Sequence, residues 1–335
     1  MKLFIHRCLA LIGGVFLTAS CDKVWLGPDA DNGPVANFEY LWEEVDHKYS
    51  YFEHKGVDWD RVYKDYRPRI SEQMTGRELF DVLAEMLYEL RDGHVNLSSS
   101  FDRSRNWDWY LDYPPNFNRE VLYRNYLGGD YLITGPLHNQ VIDSVLYIYY
   151  GSFQGEIREE HLDFLLERSQ GLKGMIIDIR NNGGGSLRNG EKLASALASE
   201  EVAYARKRIK NGPGEEDFSP WETMTIEPRE EKRYSGPLVL LCNRSSYSAS
   251  TLFAQMMKSL SHATLVGDHT GGGGGFPAYG ELPNGWIYRL SVTQVLDLQG
   301  DHIEDGVAVD LRVDLDPEDE SQGIDTMIEE ALRLF

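Results

Sequence analysis

The sequence predicts a mixed α/β fold preceded by a helical N-terminal part, and three observations carry that reading. Apolar residues recur at helical spacing between 38 and 91. From about 144 onward, apolar runs of strand length alternate with helical stripes, the pattern of α/β layering. Hydrophobic types make up 41% of the 335 residues, enough for a sizeable core in one large domain or two moderate ones.

The chain opens MKLFIHRCLALIGGVFLTASC. Lys2, His6 and Arg7 form a basic start, 9–17 is a short apolar run, and Thr18, Ala19 and Ser20 precede Cys21. The apolar part is too short to span a bilayer, so the layout is that of an export signal. A cysteine directly after small residues resembles a bacterial lipobox, which implies a lipid on the Cys21 thiol and a membrane-anchored, exported protein facing the periplasm or cell surface. The stretch 22–37, with Gly27-Pro28 and Gly33-Pro34, reads as a spacer. The expected organisation is a signal at 1–20, a lipid-anchored linker at 21–37, a helical domain at 38–92 and an α/β core at 93–335.

Within the helical part, Phe38, Leu41, Trp42, Val45 and Tyr49 share one face. A short helix is expected at 58–66, ending before Pro68. Thr75-Gly-Arg-Glu78 has the form of a capping box ahead of Leu79, Phe80, Leu83, Met86, Leu87 and Leu90. Strand-like runs follow at 121–123, 131–134 and 144–150. Helices are expected at 159–169, 189–197, 249–260 and 324–334, and strands at 174–179, 237–242, 263–266 and 286–292.

The formal net charge is −21, which repels phosphate backbones and argues against nucleic acid as a partner. Of the 3 cysteines, Cys8 lies in the signal and Cys21 is the anchor position, so no pair remains for an internal disulfide. Cys242, inside an apolar strand, reads as a small buried hydrophobe. No HExxH or paired Cys/His spacing is present, so neither a metal nor a cofactor is expected.

Three segments could carry chemistry. In 238–254 an apolar strand meets a turn rich in serine, Ser245, Ser246, Ser248 and Ser250, and then a helical stripe. Ser248 sits where strand becomes helix, where first-turn amides and the helix dipole favour developing negative charge. Each of these serines also fits a plain N-cap. In 174–185, strand Gly174-Met-Ile-Ile-Asp-Ile runs into Arg180-Asn-Asn-Gly-Gly-Gly, whose backbone could turn amides toward an anion, as a phosphate cradle or an oxyanion hole. In Glu89-Leu-Arg-Asp-Gly-His94, the histidine could be a C-cap partner or a base.

Taken in this order, LRDGHV, DIRNNGGG and SSYSAST resemble the C-terminal processing (tail-specific) serine peptidase family, and most closely its tricorn-core branch. The stretch from Phe38 to Tyr63 is similar to the helical start of that branch, and Ile303-Glu-Asp-Gly-Val to its closing motif. The resemblance implies a core of the Clp protease–crotonase type that hydrolyses peptides or protein tails. It implies Ser248 as nucleophile, His94 as base, Glu304 as the assisting acid, and the Gly184 and Ala249 amides as oxyanion hole. Lysine-using members carry the base in a loop after the serine helix. Here Gly273 falls at that place, so the base is His94. Gly93 and Thr251 also depart from the family pattern. The interval between His94 and Asp178 is too short for a PDZ domain with its connections. A non-catalytic ligand- or peptide-binding protein on the same fold is the alternative these departures leave open. An esterase ranks low, since no GxSxG elbow is present.

Overall fold

The computed structural model describes residues 31–106 and 111–335. The segment 1–30, with the expected signal and Cys21, lies outside the described residues.

Helix α1 (Pro34–Lys48) starts with Pro34 in its first turn, where the missing amide hydrogen costs nothing. It begins inside the stretch expected to be spacer. The reason is Asn37, which is fully buried, donates to the Asn32 and Gly33 carbonyls at 2.8 Å and accepts from the Asn284 amide at 3.0 Å. After a single-turn helix at Phe52–Lys55 come α2 (Trp59–Tyr66), capped by Asp58, and α3 (Gly76–Tyr88). In α3 the capping box forms as expected: Thr75 accepts from the Glu78 amide, and the Glu78 carboxylate accepts from the Thr75 amide.

Strands β1 (Asn96–Ser98), β2 (Leu132–Thr134), β3 (Leu137–Ile142) and β4 (Val145–Tyr149) follow. Then α4 (Glu159–Arg168), β5 (Gly174–Asp178) and α5 (Leu187–Ser195) alternate. Strands β6 (Val202–Ile209), β7 (Glu222–Ile226) and β8 (Leu238–Cys242) lead to α6 (Ala249–Lys258) and β9 (Ala263–Gly267). The chain continues through β10 (Pro277–Glu281), β11 (Ile287–Ser291), β12 (Thr293–Leu296) and β13 (Leu311–Arg312) to α7 (Thr326–Leu332).

The main sheet has seven strands in the order β13-β9-β8-β5-β4-β3-β2. Its pairs are parallel from β13 to β4 and antiparallel from β4 to β2. Alternation along β8 divides the core. Leu238, Leu240 and Cys242 face α5 and α6, with Leu193, Leu252, Phe253 and Met256. Val239 and Leu241 face α7, with Met327, Ile328 and Ala331. The expected strand at 121–123 is instead helical. Asn118 caps the Glu120 and Val121 amides at 2.9 and 3.1 Å, and Leu122 and Leu127 pack under the α7 side of the sheet.

Two small sheets, β1-β11-β10 and β12-β6-β7, stand apart from the main one. The first joins the helical part to the rest. Its Leu97, Tyr288 and Leu290 share one buried cluster with Phe38, Leu41, Leu83 and Met86. The N-terminal helices therefore close their core with residues from beyond 280.

Candidate active site

Strand β8 ends at Cys242, and the next six residues turn back on hydrogen bonds made by the short side chains. Ser246 Oγ donates to the Ile179 carbonyl at 2.8 Å, and Ser250 Oγ to the Asn182 carbonyl at 2.7 Å. Thr251 Oγ1 donates to the Gly272 carbonyl at 2.8 Å, so three loops are tied together. Ser248 holds the N-cap position of α6 yet makes no cap bond. Its backbone lies at φ 60°, ψ −120°, a region that β-carbon-bearing residues avoid, and its amide donates to the Gly272 carbonyl at 2.9 Å. This turn holds the hydroxyl out. Ser248 Oγ lies 2.9 Å from His94 Nε2.

His94 follows α3 in a turn fixed by Asp92, whose Oδ1 accepts from the His94 amide at 2.7 Å. The ring is buried against Tyr247, with centroids 5.0 Å apart. Burial pushes its pKa down to about 4; nearby Asp92 opposes this and Arg289 adds to it. The imidazole is thus neutral at ordinary pH, the form that can accept a proton from the serine.

Glu304 is buried on a turn at Ile303–Asp305, but it does not reach His94. Its carboxylate pairs with Lys55 Nζ at 3.0 Å and accepts from the Gly275 amide at 3.3 Å. Lys55 also donates to the Arg91 carbonyl at 3.0 Å, which ties the pair to the turn carrying His94. Burial raises the Glu304 carboxyl above its usual range, and Lys55 pulls it back. Sequence reasoning missed Lys55, since a lone lysine in a helical turn carries no local signal.

The glycine loop explains why no lysine stands at 273. Gly273 has φ 70°, and a β-carbon there would meet the Tyr247 ring at 2.3 Å. Gly184 packs directly on the serine turn, where a β-carbon would meet the Tyr247 carbonyl at 2.6 Å. Its own amide, however, donates to Asn182 Oδ1 at 3.0 Å. Ala249 contributes the first amide of α6, which has no carbonyl of its own helix to bind. Beneath this loop, buried Arg180 pairs with Asp178 at 2.6 Å and Asp325 at 2.9 Å, and Tyr147 donates to Asp178 at 2.5 Å. Ser248, His94 and Gly183–Gly185 line one open cleft of about 820 Å³, with Gln154, Tyr279 and Arg289 on its walls. Among the described residues no His, Cys, Asp and Glu cluster suits a metal, and Cys242 is a free, buried thiol.

A serine on a strained strand-to-helix turn, facing a neutral histidine beside amide-rich glycines, is an arrangement suited to nucleophilic attack by the serine. Residues 144–313 match peptidase family S41, and residues 35–88 match the tricorn protease C1 domain. The chain belongs to peptidase family S41. A solved structure of a candidate peptidase from Parabacteroides merdae ATCC 43184 is 42% identical, with a TM-score of 0.86 over 91% of this chain and 97% of that one. A carboxyl-terminal-processing protease of Synechocystis is 34% identical over 45% of this chain and 33% of its own length. The carboxy-terminal processing protease CtpB of Bacillus subtilis is 27% identical over 48% of this chain and 32% of its own length. The matched region thus spans about a third of these curated relatives.

Proposed function

We propose that this chain is a serine peptidase that hydrolyses peptides or protein tails outside the cytoplasm. Ser248 attacks the scissile carbonyl and His94 takes its proton. The Ala249 and Gly184 amides receive the oxyanion, Gly184 by exchanging its Asn182 acceptor for the substrate. Glu304 acts at one remove, through Lys55 and Gly275, as a positioning residue. The observation that carries the reading is the 2.9 Å contact between Ser248 Oγ and His94 Nε2, made by a serine held at positive φ. Backbone strain of this kind clusters at functional sites, which supports the reading.

A fluorophosphonate probe followed by peptide mapping tests it: the adduct is expected on Ser248, and an adduct on another serine would sink the assignment. A binding protein on the same fold is the second reading, favoured by the engagement of the Gly184 amide with Asn182. It predicts no adduct at all. We further read 1–20 as a signal, with Cys21 acylated and the helical part, 38–92, carried ahead of the core, 93–335. Mass spectrometry of the N-terminus of the native protein is expected to find a lipid-modified Cys21. An unmodified cysteine there refutes the anchor.

A further inference from the structure

The wall of the cleft opposite the serine turn is the sheet β1-β11-β10. In its register Asn96 lies opposite Arg289, and Arg289 opposite Tyr279. Directly opposed residues share a face, so these three stand in one row. Their neighbours Leu97, Tyr288 and Leu290 point the other way, into the helical core. The row therefore faces the cleft by the parity of the strand, and all three residues line it.

Arg289 is held there without a charged partner. Its guanidinium lies 5.7 Å from the centre of the Tyr279 ring, and its Nε is buried with no hydrogen bond. Arg103 is held beside it, donating to Asn96 Oδ1 at 2.7 Å, and Arg105 lines the same cleft. Asp102 is the acidic residue on this wall, and its carboxylate accepts from the backbone amide of Arg103. Other arginines divide: Arg180, Arg229 and Arg312 pair with carboxylates, whereas Arg168 and Arg206 also keep a buried Nε without a hydrogen bond, so what distinguishes this group is that its three members line one cleft. In a chain with 54 acidic and 33 basic residues, three arginines gathered without an ion pair are a local reversal of sign. They line the same cleft as Ser248. A guanidinium fork with an unused, water-poor N–H is suited to a carboxylate.

We propose that Arg289, supported by Arg103 and Arg105, forms a carboxylate-binding subsite, so that preferred substrates present a carboxylate close to the scissile bond. The carboxylate could come from an acidic side chain or from a free C-terminus. The proposal rests on the peptidase reading for its kinetic form, but it also predicts binding without turnover.

The test uses internally quenched peptide pools made in matched sets: Glu against Gln at each position, and free against amidated C-terminus. The wild-type protein is expected to show a kcat/KM advantage of roughly tenfold or more for one carboxylate form, carried mainly in KM and shrinking as salt is raised. The Glu/Gln arm and the acid/amide arm tell the two sources apart. Arg289→Gln is expected to bring the ratio close to one, and Arg289→Lys to restore part of it, which also guards against a variant that misfolds. A ratio near one in the wild type, or one unchanged in Arg289→Gln, overturns the subsite. If Ser248 takes no fluorophosphonate and no peptide is cut, the peptidase reading fails separately. The subsite is then judged by fluorescence anisotropy with the same peptides, and equal affinity of acidic and neutral forms overturns it.

Discussion

Ser248 combines a reactive position with an unfavourable backbone, and the two can be separated by substitution. Ser248→Ala keeps the β-carbon at φ 60° and removes only the hydroxyl. Turnover is expected to fall roughly a million-fold, with the melting curve little changed. Ser248→Gly removes the strain as well. A non-glycine residue in such a region costs on the order of 1–3 kcal/mol, partly offset by the freedom glycine gains in the unfolded chain. The glycine variant should therefore be inactive yet about 1 kcal/mol more stable than the alanine variant by urea denaturation; equal stability would remove the strain argument. Ser246 and Ser250 spend their hydroxyls on the Ile179 and Asn182 carbonyls, so replacing either costs stability rather than chemistry.

His94 gives a prediction in pH. Its folded pKa, about 4, lies below the unfolded value of about 6.5. The unfolded chain therefore binds more protons between those limits, and stability falls as pH drops from about 6.5 toward 4. The neutral base persists through the same window, so the acid limb of kcat/KM should lie well below the ordinary histidine value. A pH–rate profile with its acid limb at 6.5 or above would contradict the buried, neutral ring. Comparing thermal melts of the wild type and His94→Gln checks the stability side: the wild type should lose more between pH 7 and pH 5 than the variant, since His302, also held down to about 4 by burial, titrates in both.

At the scale of elements, the turn that presents Gly183–Gly185 rests on an ion cluster. Arg180 is fully buried between Asp178 and Asp325, and removing one partner strands the others in a water-poor interior. Arg180→Met is expected to destabilise by about 3–5 kcal/mol, read from the urea midpoint. Adding Asp325→Asn should recover part of the loss, and no recovery would mean that packing, not charge, dominates.

The elements that could be read in the sequence are those whose ends and faces are written locally. The Thr75–Glu78 box marks the start of α3, and the short, unbroken apolar run Leu238–Cys242, closed by a polar turn, reads as a strand buried on both faces. Strand β6 gave no such signal, because Ala203 to Ile209 carries Arg206, Lys207 and Arg208 on half-exposed positions. Likewise Val121-Leu-Tyr has strand composition, and the deciding feature was the cap three residues upstream at Asn118. The pairing of Ser248 with His94 followed from family register, as no local rule links residues 154 apart. Lys55 and Arg289 had no register to lend them meaning. They acquire a role only when the fold brings them to Glu304 and to the cleft.

At the scale of the whole molecule, the N-terminal helices are not a self-contained unit. Phe38, Leu41, Leu83 and Met86 share their cluster with Leu282, Tyr288 and Leu290. A fragment beginning at 93 would expose that apolar face and lose the partner of the β1-β11-β10 sheet. It should bind a hydrophobic dye and aggregate, whereas the chain from 31 onward should melt in one transition. A soluble, cooperatively folded 93–335 fragment would show the opposite, that the core stands alone.

The dispersal of the candidate site along the chain has a consequence for when that site is complete. His94 comes first, then Ser248, then the buried Glu304, and last Asp325, which pairs with Arg180 beneath the glycine turn. A chain emerging from a ribosome or threading through a translocation channel makes these in that order, and joining the first to the last closes one of the long loops of the fold. Until the segment around 325 has arrived, Arg180 has lost one of its two counter-charges and the glycine turn has no floor. A half-made copy therefore holds the histidine before Ser248 has been made. On the peptidase reading, the order of synthesis delays the assembled site until late in the chain.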